Sequence, residues 1–130
     1  MHRIKRLAAI AALLLLTGFG PGAPIYNVVS SPIPPNPAAT MENLEKAILR
    51  AGLTLGWRMT PQGPGRAEGV LVLRTHTAIV DITYDTKAFN ITYKDSIKLD
   101  YRESDKTIHS NYNGWVQNLE KAIRAQVTVL

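Results

Sequence analysis

The sequence predicts an α+β fold: a two-layer sandwich in which an N-terminal and a C-terminal helix cover an antiparallel sheet of four to five strands. Two observations support this fold class. Apolar residues recur at helical spacing in 41–55 and 112–127, whereas between these segments they alternate with polar residues as in half-buried strands. A sheet with one apolar face must be covered, and two amphipathic helices can cover it.

The first helix is expected to start after Thr40, because a threonine side chain can cap the free amides of a first turn. Gly56 is the expected end of this helix, with Gly52 as an earlier alternative. Residues 57–60 then alternate as a strand, and the proline- and glycine-rich segment 61–65 predicts a turn.

Strand patterns follow in quick succession at 67–73, 78–84, 89–93 and 97–101. The parity of the inward residues changes between the first two, which predicts a turn or a bulge at 74–77. We favour a hairpin turn, although no glycine supports it. In the last strand Ile97, Leu99 and Tyr101 alternate with charged residues and are therefore assigned to the inward face. Tyr93 is assigned to the same face by the same periodicity.

The second helix begins at His109 or Ser110 and carries an apolar stripe expected to pack on the sheet. The hexapeptide NLEKAI occurs at 43–48 and again at 118–123. It records either a duplication or the convergence of two sheet-facing helices on good helix formers, and the absence of a matching repeat in the strands favours convergence.

Residues 1–22 have the composition of a secretory signal peptide: a basic start at Met1–Arg6, an apolar block at Leu7–Leu16, and then small residues. The apolar block is short for a bilayer span. Leu16–Phe19 resembles the lipobox of bacterial lipoproteins, with Phe19 at the position where that pattern has the lipidated cysteine. Because phenylalanine has no nucleophile, this position cannot accept a lipid.

Residues 23–39 contain many prolines, which fix φ and lack an amide hydrogen. The composition predicts an extended, proline-rich tether between the signal segment and a single α+β domain at 40–130.

Composition narrows the range of functions. The chain has no cysteine, which excludes disulfides, thiolate metal sites and thiol catalysis. Without the basic residues of 1–6, the net charge of +5 falls to +2 and no basic stripe remains, so we expect no nucleic-acid binding. No catalytic motif is present, and the chain is not expected to be an enzyme. His76 and His109 could share a metal with an aspartate, Asp81 or Asp95, but they lack local ligand spacing, so neither a metal nor a cofactor is expected.

The chain resembles small bacterial cell-envelope lipoproteins. The resemblance is carried by Leu16–Phe19, HTAIVDITYD at 76–85, ITYKDSIKLDY at 91–101 and IHSNYNGWVQNLEKAI at 108–123. It implies export and the fold class, and it implies no activity, ligand or catalytic residue.

We therefore expect an exported, non-catalytic protein of the bacterial cell envelope, periplasmic or tethered to the membrane through its N-terminus. It would bind another envelope component or support an assembly; the alternative is a periplasmic carrier or sensor of a small ligand. The candidate surface contacts are Arg74, His76, Asp95 and His109. A cavity between sheet and helices favours the carrier, whereas a filled interior with an exposed apolar patch favours partner binding.

Overall fold

The computed structural model describes residues 22–130. The predicted signal peptide, including Phe19, lies outside the described residues except for Gly22. The described part of the chain forms two helices and seven strands: β1 (Ala23–Pro24), β2 (Val28–Pro32), α1 (Met41–Thr54), β3 (Arg58–Pro61), β4 (Arg66–Leu73), β5 (His76–Tyr84), β6 (Ala88–Ile97), β7 (Thr107–Ile108) and α2 (Ser110–Thr128).

The main sheet has five strands in the order β2-β6-β5-β4-β3, and each strand is antiparallel to its neighbours. A two-stranded sheet of β1 and β7 lies beside it. The inward residues of the main sheet and the apolar stripes of α1 and α2 form one buried core. The α+β sandwich with an N-terminal and a C-terminal helix is therefore confirmed. No helix within 22–130 has the length and apolar character needed to cross a membrane.

Both helices begin near the expected residues. The Thr40 hydroxyl accepts a hydrogen bond from the Asn43 amide at 3.2 Å and caps α1. His109 caps α2 in the same way, because its Nδ1 atom accepts from the Asn111 amide at 3.1 Å. The chain leaves α1 through Gly56, whose φ of +86° is readily available only to glycine.

The predicted hairpin turn between β4 and β5 is present but shorter than expected. Leu73 pairs directly with His76, so only Arg74 and Thr75 form the turn. Arg74 adopts the left-handed conformation with φ of +56°, which is how the chain reverses without a glycine.

A β-bulge in β6 overturns the prediction of a strand at 97–101. Val80 pairs with Tyr93 whereas its neighbour Ile79 pairs with Asp95, so Lys94 is an extra residue in the ladder. Beyond it the parity of β6 is reversed, and Ile97 lies on the outer face, 55% exposed.

The chain then leaves the sheet after Ile97. Lys98 and Asp100 have φ of +59° and +53°, a conformation incompatible with a continued strand. Leu99 is nevertheless buried, as its place in the inward set predicted, but within a loop that folds back onto the core.

The segment 23–39 is part of the folded unit, so the prediction that it is a tether outside the domain is wrong. β2 forms an edge strand on β6, and Val28 and Ile33 are buried in the core. Pro32 is tolerated because it lies at the end of an edge strand, where a missing amide breaks no ladder. The prolines do keep the segment non-helical, as expected.

Candidate interaction surface

The face of the main sheet opposite the helices carries a group of exposed and half-buried apolar side chains close to the β4–β5 turn. We call this group the outer patch: Val70, Val72, Ile79 and Ile97. The ladders place Val72 opposite Thr77 and Thr77 opposite Ile97, so these side chains form one row across three strands. Val72 is 59% exposed and Ile97 55%. Residues at such positions in a water-facing sheet are usually polar, so this row is a candidate contact surface.

A second row crosses four strands and has charged residues at its two ends. Arg58 on β3 pairs with Val70, Val70 pairs with Ile79, and Ile79 pairs with Asp95 on β6. Arg58 and Asp95 are exposed, whereas Val70 and Ile79 are half-buried between them. From β3 to β6 the row therefore consists of a cation, two apolar side chains and an anion.

Charged residues bound the outer patch on its far side. Glu68 and Asp81 lie directly opposite each other on β4 and β5, an arrangement in which two carboxylates repel. Lys94 relieves the repulsion, because its Nζ atom lies 2.7 Å from Glu68 and 3.7 Å from Asp81. The hydrogen bond to Glu68 and the charge of Asp81 raise the pKa of Lys94. The bulge thus supplies the cation that this pair of carboxylates requires.

The four candidate surface residues fall into two groups. Arg74 lies in the exposed turn at the end of the outer patch, and Asp95 lies on the patch's border. The Asp95 carboxylate accepts a hydrogen bond from the Ser96 amide at 2.8 Å. His76 and His109 are half-buried and form the second group, with their ring centres 6.0 Å apart.

Each of the two histidines has a position in the secondary structure. His109 caps α2, and His76 is the first residue of β5. Asp81, one of the aspartates considered as a metal ligand, instead contacts Lys94. Within 22–130 no group of three or more histidine, aspartate or glutamate side chains is arranged to hold a metal ion.

Three tyrosines pack together beneath the loop that follows β6. The rings of Tyr93 and Tyr101 are stacked with centres 4.1 Å apart, and Tyr112 meets Tyr93 edge-on at 5.7 Å. Tyr93 and Tyr101 are half-buried against the core, as their inward assignment predicted. Tyr112 is fully buried, and its hydroxyl has no hydrogen-bond partner among the described residues. This cluster joins the loop, the sheet and α2, so its role is packing.

The layer between sheet and helices is filled by side chains. Residues from both sides of this layer have no measurable exposure: Leu44, Ile48, Val80, Ile82, Phe89, Ile91, Val116, Leu119 and Ile123. An apolar groove on the surface lies between α1 and β3 and is lined by Leu49, Leu53, Trp57 and Met59, with Lys46, Arg50 and Arg58 at its rim. The described residues thus combine a filled interior with exposed apolar side chains.

Arg58, Val72 and Ile97 are surface residues that the sequence pattern did not single out. Val72 lies in a segment of β4 where the residues on both faces are apolar, so alternation does not show which of them are exposed. Ile97 was assigned to the wrong face because the extra residue at Lys94 cannot be recognised from alternation alone. Three adjacent polar residues, Lys94, Asp95 and Ser96, interrupt the alternation, but such a run does not distinguish a bulge from the end of a strand.

Comparison of the chain with protein families, curated proteins and solved structures finds no match. The fold and the surface are therefore the basis for assigning a class. They define a small α+β sandwich with a filled core, whose uncovered sheet face is apolar at one end and charged at the other.

Proposed function

We propose that this protein is a non-catalytic module of the bacterial cell envelope that binds a partner through the outer patch. The observation that carries the proposal is the exposed row Val72–Thr77–Ile97 on a face where strands usually present polar residues. Covering these side chains removes apolar surface from water, and this is the main driving force of protein association.

The filled interior favours this proposal over the carrier alternative. A ligand carrier needs space between sheet and helices, and Val80, Phe89 and Leu119 occupy that layer without exposure to solvent.

Export to the periplasm, or retention at the membrane through the N-terminus, is the proposed location. Its support is the order of basic, apolar and small residues in 1–22 and the resemblance to envelope lipoproteins. The mass of the mature protein recovered from a bacterial envelope tests this part. A chain that begins after residue 22 supports export, whereas the full-length mass in the cytoplasm contradicts it.

Site-specific photo-crosslinking tests the partner-binding role. A photoreactive residue replaces Val72 or Ile97 in the outer patch, and in the control it replaces Lys121, which is exposed on α2. After irradiation of intact cells, we expect a defined adduct from positions 72 and 97 that is absent at position 121. Equal labelling at all three positions, or no adduct at any of them, contradicts the proposal.

A further inference from the structure

We propose that the partner bound by the outer patch is a second copy of this chain, packed face to face in a two-fold symmetric dimer. This inference rests on the proposed function, since it names the occupant of the same surface. Its basis is the order of side chains along the row Arg58–Val70–Ile79–Asp95, which crosses β3, β4, β5 and β6.

The row is complementary to itself when reversed. Its centre lies between β4 and β5, with one apolar residue on each side, and its ends carry opposite charges. A two-fold axis that runs between the two faces, parallel to β4 and β5 and over this centre, places β3 of one copy above β6 of the other. Arg58 of each copy then faces Asp95 of its partner, and Val70 faces Ile79. Because a two-fold interface uses one surface twice, such self-complementarity is the property that it requires.

The neighbouring row fits the same axis. Val72 on β4 lies over Thr77 on β5 of the second copy, and Ile97 extends over the start of the second copy's β3, beside Gly56. Strands that run parallel to the axis give two aligned sheets, the common arrangement of sheets packed face to face. The charged group of Glu68, Asp81 and Lys94 lies at the border of the contact. There the Lys94 ammonium of each copy offsets the charge of the two carboxylates that it contacts.

Pairing through the sheet edges is disfavoured. β3 has four residues and ends at Pro61, and β2 has five and ends at Pro32. Short strands that end in proline offer few free amides to an incoming strand.

The surface area that this dimer would bury is small. Four strands spaced about 5 Å apart and two contacting rows give roughly 400 Å² of buried surface per copy once the flanking side chains are included. Standard stable interfaces bury about 800 Å² per partner, so we expect a weak dimer that dissociates on dilution.

Charge reversal tests the geometry directly. Sedimentation velocity of the purified protein over a concentration series gives the dissociation constant of the original chain and of the variants Arg58→Glu, Asp95→Lys and the double variant. Each single reversal brings like charges together twice in the dimer, and we expect it to weaken association about tenfold. The double variant restores the attraction between the two positions. We expect its dissociation constant to lie within about threefold of that of the original chain.

Arg66→Glu is the matched control. Arg66 is an exposed arginine on the outer face of β4, it pairs with Thr83 beyond the charged border, and its reversal changes the net charge by the same amount as Arg58→Glu. We expect it to change the dissociation constant less than threefold. An unchanged circular dichroism spectrum verifies that each variant is folded.

The inference is overturned if the original chain stays monomeric at 1 mM, or if the two single effects add in the double variant instead of cancelling. These outcomes are distinct from failure of the proposed function. A monomeric protein whose position 72 crosslinks to a different envelope protein refutes the dimer and leaves partner binding in place.

Discussion

Removing the Tyr112 hydroxyl is expected to stabilise this protein. Tyr112 is fully buried at the start of α2, between the sheet and the loop that holds Tyr101. Its ring packs edge-on against Tyr93, but its hydroxyl has no hydrogen-bond partner among the described residues. Tyr112→Phe keeps the ring contacts and removes only the polar atom.

The size of the effect follows from the missing hydrogen bond. A buried hydroxyl that loses its bonds to water without replacement costs about 1–3 kcal/mol, and the void left by one oxygen atom offsets part of the gain. We expect Tyr112→Phe to raise the free energy of unfolding by about 1 kcal/mol at pH 7. For a folded unit of this size the melting temperature then rises by roughly 4 °C.

The pH dependence gives a second, independent measure. Burial raises the pKa of the Tyr112 hydroxyl far above its usual value of 10.0, and the neighbouring Tyr93 and Tyr101 act in the same direction. Above pH 10 the unfolded chain therefore loses this proton while the folded chain keeps it, so ionisation favours unfolding. The stability that comes from keeping the Tyr112 hydroxyl protonated is fully present below pH 10. Above pH 10 the free energy of unfolding falls by about 1.4 kcal/mol per pH unit for this reason. The advantage of the phenylalanine variant is thus expected to grow by about 1.4 kcal/mol between pH 7 and pH 11.

Urea denaturation at pH 7 and pH 11 measures both quantities. Tyr26→Phe is the matched control, because the Tyr26 hydroxyl donates a hydrogen bond to Glu120 at 2.6 Å. The same chemical change there is expected to cost about 1 kcal/mol at pH 7. A Tyr112→Phe variant that is less stable than the original chain by 1 kcal/mol or more refutes the reasoning, since the hydroxyl then has a partner that this structure lacks.

Three further predictions concern the helices and the core, and thermal or urea unfolding measures each of them. Thr40→Ala removes the cap of α1 and is expected to cost about 1 kcal/mol, whereas Thr40→Ser should stay within about 0.5 kcal/mol of the original. Gly114→Ala in α2 meets no atom within 4 Å and should stabilise the protein by about 0.5–1 kcal/mol; a loss of stability contradicts the open space seen there. Gly69→Ala places its new methyl carbon 3.2 Å from both Met59 and Val80. We expect it to lower the free energy of unfolding by about 1–3 kcal/mol. A gain in stability contradicts this prediction and shows that these side chains move aside without cost.

Local interactions made much of the fold predictable. The α1 and α2 helices follow from apolar periodicity and from caps such as Thr40, because a helix satisfies its hydrogen bonds within one stretch of chain. Strands β4 and β5 and the turn at Arg74 were recognised for a similar reason, since pleating alternates side chains whatever the partner strand. The candidate site was found only in part: Arg74 and Asp95 border the outer patch, but Val72 and Ile97 were not recognised.

The sequence by itself determined the fold class, the two helices, the three longest strand segments and the inward assignment of residues such as Ile91. Only the tertiary structure decided the pairing of β2 with β6, the bulge at Lys94 and the resulting exposure of Ile97. These features depend on hydrogen bonds between residues far apart in the chain, and a single inserted residue moves every later side chain to the opposite face. The apolar and charged ends of the uncovered face arise from that register, which no local pattern encodes.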